Sequence, residues 1–319
     1  MPNLNDILHE ASAVGSGWDV VRRKYIQEFA EYTGRNVIVY YSGWLQKPFP
    51  QLQAALAVND NDKNGFMATI HQLDRTRGLD LVLHTPGGDT AATESIVEYL
   101  RQMFGSDIRA FIPQLAMSAG TMMALACKEI FMGKHSNLGP IDPQVGAFPA
   151  HGVIEEFKRA AREIQTANDA KEQQAKIAIW QPIIAKYNPT LIGLCQQAIT
   201  WSNEIVTKWL TTGMFASESD AAEKASKIVG ELGSHILTKT HARHIHLDRL
   251  RELGIKVAAL EDDQKLQDAV LAVHHSCIHT LTHTAAVKII ENQDKISFIL
   301  LAQLAGAASG PQQQLPPQP

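Results

Sequence analysis

LVLHTPGGDTAATESIVEYLR, residues 81–101, and AMSAGTMMALACKEIFMGKHSNLGPIDPQ, residues 116–144, decide the fold between them. Leu79 to His84 is a short apolar run bounded by turn residues, which reads as a buried strand. Thr85-Pro-Gly-Gly88 is a turn. From Asp89 to Phe104, the residues Ala92, Ile96, Val97, Leu100, Met103 and Phe104 recur on one helical stripe. Asp107 to Ile112 predicts a second strand, Ser118 to Ala126 a second helix, and Glu129 to Met132 a further short strand. Strands alternating with helices of this length call for crossover units and a mostly parallel sheet, hence an α/β class.

Outward from this centre the pattern extends in both directions. Upstream, Trp18, Val21, Tyr25, Phe29 and Tyr32 keep helical spacing, Gly34 is a natural stop, and Asn36 to Tyr41 is a β run. Phe66, Met67, Ile70 and Leu73 predict another helix. Downstream of Pro149 the character turns helical. One helix is expected over about 154–179, and a second runs from the Asn188-Pro189 cap to Leu210. Shorter ones are expected over 219–229 and 247–253, and 263–290 is expected to be helical as well. The resulting division is a helical segment 1–35, an α/β domain 36–260, a helical appendage 261–305, and a Pro/Gln-rich disordered tail 306–319.

Bulk properties exclude several functions. With 319 residues, 45% hydrophobic and 19% charged, the chain can bury a sizeable core. A formal net charge of -4 leaves no basic excess for phosphates, so no nucleic-acid partner is expected, and Arg22-Arg23-Lys24 reads as a solvated helix face. The start MPNLNDILHEASAV lacks the pattern of a signal peptide, and Ile296 to Ala308 is too short to span a membrane. A cytoplasmic protein without a transmembrane segment is the expectation. Cys127, Cys195 and Cys277 are widely spaced and read as buried thiols.

Chemistry is suggested where the two opening stretches leave their strands, because open α/β sheets place ligand sites at the carboxyl ends of strands. Pro86-Gly87-Gly88 lets backbone approach a substrate unobstructed, and N–H groups at the following helix start can stabilise an oxyanion. Taken alone, the same residues are equally a plain tight turn. Ser118 sits among small residues at a strand-to-helix junction, with its hydroxyl exposed and the N–H of Ala119 beside it. Its blander role is a helix N-cap, worth about 1 kcal/mol.

Together, strand-TPGG-helix and strand-xSAG-helix, thirty residues from Gly88 to Ser118, form a much more specific pattern. The chain resembles the Clp protease/crotonase superfold in its signal peptide peptidase A branch, and within it the serine dehydrogenase proteinase family. The motifs run from about Val37 to Gln144, and the likeness continues more weakly to about residue 260. The resemblance implies a ββα superhelix with a mostly parallel sheet and a helical C-terminal extension. It implies an ATP-independent serine endopeptidase, with Ser118 as nucleophile and Gly87 or Gly88 with Ala119 as the oxyanion hole. Homo-oligomers acting on peptide or unfolded-protein substrates are implied too, without cofactor or metal.

The base is less legible. Clp-type enzymes place a histidine some way after the serine, and counting to that place lands on Pro143, with His135 and His151 nearest. The signal peptide peptidase branch uses a lysine. Lys158 lies forty residues after Ser118, following the proline-rich stretch, and is the expected base of a Ser-Lys dyad. Asp142 and His84 are possible accessories, as turn cap or partner and as strand-end or substrate contact.

His235, His241, His244 and His246 cluster in a loop-like stretch. His275, His279 and His283 share one helical face, and packing is the expected role of both groups. No GxxxxGK[ST] loop occurs, so unfolding energy would come from a partner. Two alternatives stand beside the peptidase. One is a crotonase-type acyl-thioester enzyme, disfavoured by the serine, and the other is a catalytically silent peptide-binding scaffold.

Overall fold

The computed structural model describes residues 7, 17–146, 148–234 and 238–302. Its frame is a seven-stranded sheet, built from β1 (Asn36–Ser42), β2 (Leu79–His84), β3 (Ile108–Ile112), β5 (Glu129–Met132), β10 (Val257–Ala259), β11 (Ala286–Asn292) and β12 (Ser297–Leu301). The spatial order is β10-β5-β3-β2-β1-β11-β12. The first five strands run parallel, while β11 lies antiparallel to β1, and β12 antiparallel to β11. In the chain, β3 is followed by β4 (Leu115–Ala116), which joins β6 (Asn137–Leu138) and β9 (Ile245–His246) in a small second sheet. A hairpin of β7 (Gln144–Val145) and β8 (Phe148–Pro149) follows β6.

The parallel strands are largely apolar because both faces are covered. Ile38, Tyr40, Leu81, Leu83, Ala110 and Ile112 point into one core, roofed by the helices Thr90–Phe104, Ala119–Leu125, Leu191–Thr212 and Ala221–Leu232. Val37, Val39, Tyr41, Val82 and Phe111 point into the other, closed by the helices Trp18–Thr33 and Gln264–His283. Gly34 ends the first helix in the left-handed region at φ 68, its N–H donating to Ala30 O at 2.9 Å.

Several boundaries move from the sequence expectation. The helix expected over 154–179 is two, Ala150–Gln165 and Ala170–Ile184, the second capped by Asp169, whose side chain accepts from Glu172 N. The long helix expected to start at Pro189 starts at Leu191, after Thr190 at φ 69. The stretch 263–290 is helical only to His283. The expected helical appendage 261–305 is one helix followed by β11 and β12, and β11 is an inner strand hydrogen-bonded along β1. Its residues Ala-Val-Lys-Ile-Ile-Glu-Asn are buried throughout. Lys288 and Glu291 masked this strand in the sequence, because each is buried only through a partner on another element. The expected tail 306–319, and most of residues 1–16, lie outside the described residues.

Candidate active site

The two motifs are tied together by backbone. Thr85 N donates to Leu115 O at 3.1 Å and Met117 N to Thr85 O at 3.0 Å, so the strand end carrying Pro86-Gly87-Gly88 runs beside the segment carrying Ser118. Gly120 N donates to Met117 O at 2.8 Å, closing a turn in which Ser118 is the first central residue, at φ 51 and ψ -113. Those angles belong to a type II′ turn, where glycine is the usual occupant. A side chain held there costs about 1–3 kcal/mol and persists only where the surroundings impose it. The serine hydroxyl caps nothing, although the helix Ala119–Leu125 begins at the next residue.

Gly87, at φ 92, lies against the serine: a Cβ placed on it would stand 2.7 Å from Ser118 Cβ and 2.9 Å from Ala119 N. Gly88 lies against Val58, where a Cβ would come within 2.3 Å of Val58 N and 2.4 Å of Val58 O. Gly87 O accepts from Val58 N at 2.8 Å and Asp89 N donates to Val58 O at 2.9 Å. The Gly87 N–H is taken by the Thr85 hydroxyl at 3.2 Å. Among the described residues, neither the Gly88 N–H nor the Ala119 N–H donates to a protein acceptor. Asp89 caps the helix Thr90–Phe104 by accepting from Ala92 N at 2.8 Å.

The opposite wall is the Gly139-Pro-Ile-Asp-Pro-Gln segment. Thr121, one turn into the helix after Ser118, bridges to it: its hydroxyl contacts Gly139 O and Gly139 N, each at 2.9 Å. Ile141 N donates to Leu232 O at 2.9 Å, joining this segment to the end of the helix Ala221–Leu232. Asp142, only 1% exposed, then meets His241, with Oδ1 and Nδ1 2.8 Å apart, while its Oδ2 accepts from Gln144 Nε2 at 3.0 Å. A carboxylate that only accepts places the imidazole proton on Nδ1 and leaves Nε2 as the basic nitrogen. Ser118, Ala119, Gly87, Gly88, Asp142 and His241 all line one cavity of about 490 Å³. Trp44, Phe49, Leu56, Met122 and Ile141 supply much of its apolar wall.

Against known proteins, residues 20–268 match the family of ClpP-like SDH-type serine proteinases, a span that holds both motifs, Asp142 and His241. The chain belongs to that family. It is also similar to two uncharacterized proteins of Methanocaldococcus jannaschii. One is 28% identical over 236 residues, covering 74% of this chain and 71% of the relative. The other is 29% identical over 199 residues, 61% of this chain, which spans only 59% of that relative's length.

Within this ClpP-like proteinase the residues named from sequence are not all brought together. Lys158 does not line the cavity. It lies on the outer face of the helix Ala150–Gln165, with a side chain 59% exposed and Nζ 2.9 Å from Glu155 Oε1. A spacing of forty residues from the serine therefore does not place Lys158 on the cavity. His135 is also away from the cavity, its Nε2 2.9 Å from Pro113 O, and His151 sits half-buried in the first turn of that same outer helix. His84 is wholly buried behind Trp44, with ring centroids 4.3 Å apart, so it does not reach the cavity. Burial pushes its imidazole down to about 3, so it is neutral near pH 7.

The residue that sequence reading passed over is His241, grouped there with neighbouring histidines as a packing cluster. Its partner is 99 positions upstream, and no spacing rule links them. The helical histidine row does pack, with Trp18 stacked on His283 at 4.8 Å and on His279 at 6.0 Å. His235 lies outside the described residues. No helix among the described residues is long and apolar enough to cross a membrane.

Proposed function

We propose that this proteinase hydrolyses peptide bonds without ATP through Ser118, His241 and Asp142. Ser118 Oγ attacks the scissile carbonyl while His241 Nε2 takes its proton, and the carbonyl oxygen becomes an oxyanion facing the Gly88 and Ala119 N–H groups. Collapse of the tetrahedral species expels the amine, which receives the proton from His241 and leaves an acyl-serine. Water, deprotonated by His241, then releases the acid and restores the hydroxyl. Asp142 holds the tautomer and faces the imidazolium as it forms. The observation that carries the reading is Ser118 at positive φ, its hydroxyl unused as a cap, on the same cavity as the His241–Asp142 pair.

This replaces Lys158 as base, since its ammonium is exposed, pairs with Glu155 and stands outside the cavity. The apolar wall suits extended, unfolded chains with hydrophobic side chains. Ile177, Ile179, Ile192 and Leu194 are exposed on the outer helices and support association with further copies.

The test is casein hydrolysis without ATP, with fluorophosphonate labelling in parallel. The wild type is expected to cleave and to label. Ser118→Ala and His241→Ala are expected to lose about 100-fold or more in rate, with Lys158→Ala near wild type. A wild type that neither labels nor cleaves supports the silent scaffold instead. Loss in Lys158→Ala with retention in His241→Ala returns the base to lysine.

A further inference from the structure

Lys288 projects from β11, beyond the residues matched to the family, and is fully buried. Its Nζ lies 2.7 Å from Asp62 Oδ1, 2.9 Å from Asp62 Oδ2 and 2.8 Å from Ala57 O. Asp62 is itself 1% exposed, accepts from the Tyr40 hydroxyl at 2.7 Å, and accepts from Asn59 N at 3.0 Å. Lys288 and Asp62 therefore clasp the backbone on both sides of Val58. One residue earlier, Leu56 O accepts from the Ser42 hydroxyl at 2.7 Å. The segment Leu56–Asn59, which leaves the short helix Gln53–Leu56, is thus fastened to β1 and β11 by buried polar side chains. Such groups are costly to bury and are satisfied here only by one another and by that segment.

Val58 is the residue to which the oxyanion strand is hung. Its N–H and carbonyl make the two hydrogen bonds that hold Gly87 and Asp89, and Gly88 presses on its backbone more closely than any side chain would allow. Holding Gly88 in this way turns its N–H away from Val58 and leaves it without a protein acceptor.

We infer that Lys288 and Asp62 are positioning residues for the oxyanion strand, acting through Ala57 and Val58 on the Gly88 N–H. The inference rests on the peptidase reading for its catalytic meaning. Its mechanical content, that this ion pair fixes the Gly87–Asp89 backbone, stands apart from that reading. The pair does not touch substrate: neither residue lines the cavity, whereas Leu56, Ala57, Gly87 and Gly88 do. A merely stabilising ion pair would loosen the whole sheet when removed. A positioning pair would loosen one segment and slow the chemical step while leaving substrate binding largely as it is.

The experiment compares wild type with Lys288→Met and with the double variant Lys288→Met/Asp62→Asn. The double variant avoids leaving a buried carboxylate unpaired and so keeps a folded protein in hand. Amide hydrogen exchange at Val58 and Asp89 is expected to quicken about 10-fold or more, with β3 and the helix Trp18–Thr33 within about 2-fold of wild type. On a peptide substrate, kcat is expected to fall about 10-fold or more with KM changed by less than about 2-fold. Unchanged exchange at Val58 and Asp89 overturns the inference, as does quickening of equal size throughout the sheet. Local quickening with kcat intact in an active enzyme overturns the catalytic part. A wild type no faster than Ser118→Ala removes the peptidase reading instead, and the exchange data still decide whether the pair holds the strand.

Discussion

His241 Nδ1 and Asp142 Oδ1 stand 2.8 Å apart across 99 residues of sequence, and both side chains face the cavity that contains Ser118. An acceptor-only partner at Nδ1 matters because it presents the lone pair of Nε2 to the cavity. Asp142→Asn offers a donor in its place and permits the opposite tautomer, so kcat is expected to fall about 100-fold or more with KM little changed. The double variant Ser118→Ala/His241→Ala is expected to be no slower than Ser118→Ala, since residues acting as a unit are not additive. Steady-state kinetics on one fluorogenic peptide check both. A double variant slower by the product of the two single effects would separate His241 from Ser118.

The strain at Ser118 separates stability from activity. At φ 51 and ψ -113 a glycine is relaxed where serine is not. Ser118→Gly is expected to abolish hydrolysis and to raise the urea midpoint, by about 1 kcal/mol in stability. Ser118→Ala keeps the strain and is expected to lose activity without that gain. Paired denaturation curves decide the matter, and a Ser118→Gly protein less stable than Ser118→Ala would contradict the strained turn.

Gly88 tests the close approach to Val58. A methyl group there meets backbone atoms at 2.3 and 2.4 Å, and backbone does not move aside as a flexible side chain does. Gly88→Ala is expected to cost about 1–3 kcal/mol. Fluorophosphonate labelling of the variant at a temperature where it is folded is expected to slow about 100-fold, because its oxyanion donor is displaced. Labelling at the wild-type rate would remove Gly88 from the oxyanion hole.

Asp107 gives a pH dependence far from the site. The Arg35 guanidinium, bonded to it at 3.0 Å, and the Lys128 ammonium hold its carboxyl down to about 2, from an ordinary 3.8. A folded-state value below the unfolded one gives stability that is present above about 3.8 and lost as the pH falls through about 2. The side chain is 42% exposed, so solvent screens the pair and Asp107→Asn is expected to cost under about 1 kcal/mol at pH 7. Urea midpoints of wild type and variant are expected to converge as the pH falls from 4 toward 2. A gap that widens there would reverse the sign.

Truncation checks the place of β11 in the fold. A chain ending at residue 268 stops where the family match stops, and loses most of the helix Gln264–His283 with all of β11. That exposes the edge of β1 and the core face around Val37, Val39 and Tyr41, so the fragment is expected to aggregate. Size-exclusion chromatography and circular dichroism read the outcome. A soluble, folded fragment would make the C-terminal strands dispensable.

The sequence by itself determined the parallel core of the sheet, the two turns at its strand ends and the place of Ser118 at a strand-to-helix junction. These features are local: an apolar run bounded by turn residues, a stripe at helical spacing, a proline and two glycines at a strand end, and a serine among small residues. Only the tertiary structure decided that the His241–Asp142 pair shares a cavity with Ser118, and that β11 is an inner strand of the sheet. His241 reaches Asp142 because Thr121 fastens Gly139 and Leu232 fastens Ile141, contacts between segments far apart in the chain. Lys158 sits at a plausible spacing yet faces solvent, since the helix carrying it packs through Ala150 and Val153. Lys288 and Glu291 are buried in β11 only because Asp62, Arg22 and Arg23 stand beside them. Periodicity records which way a side chain points along its own element, whereas the partner that makes a buried charge or a catalytic base tolerable belongs to another element.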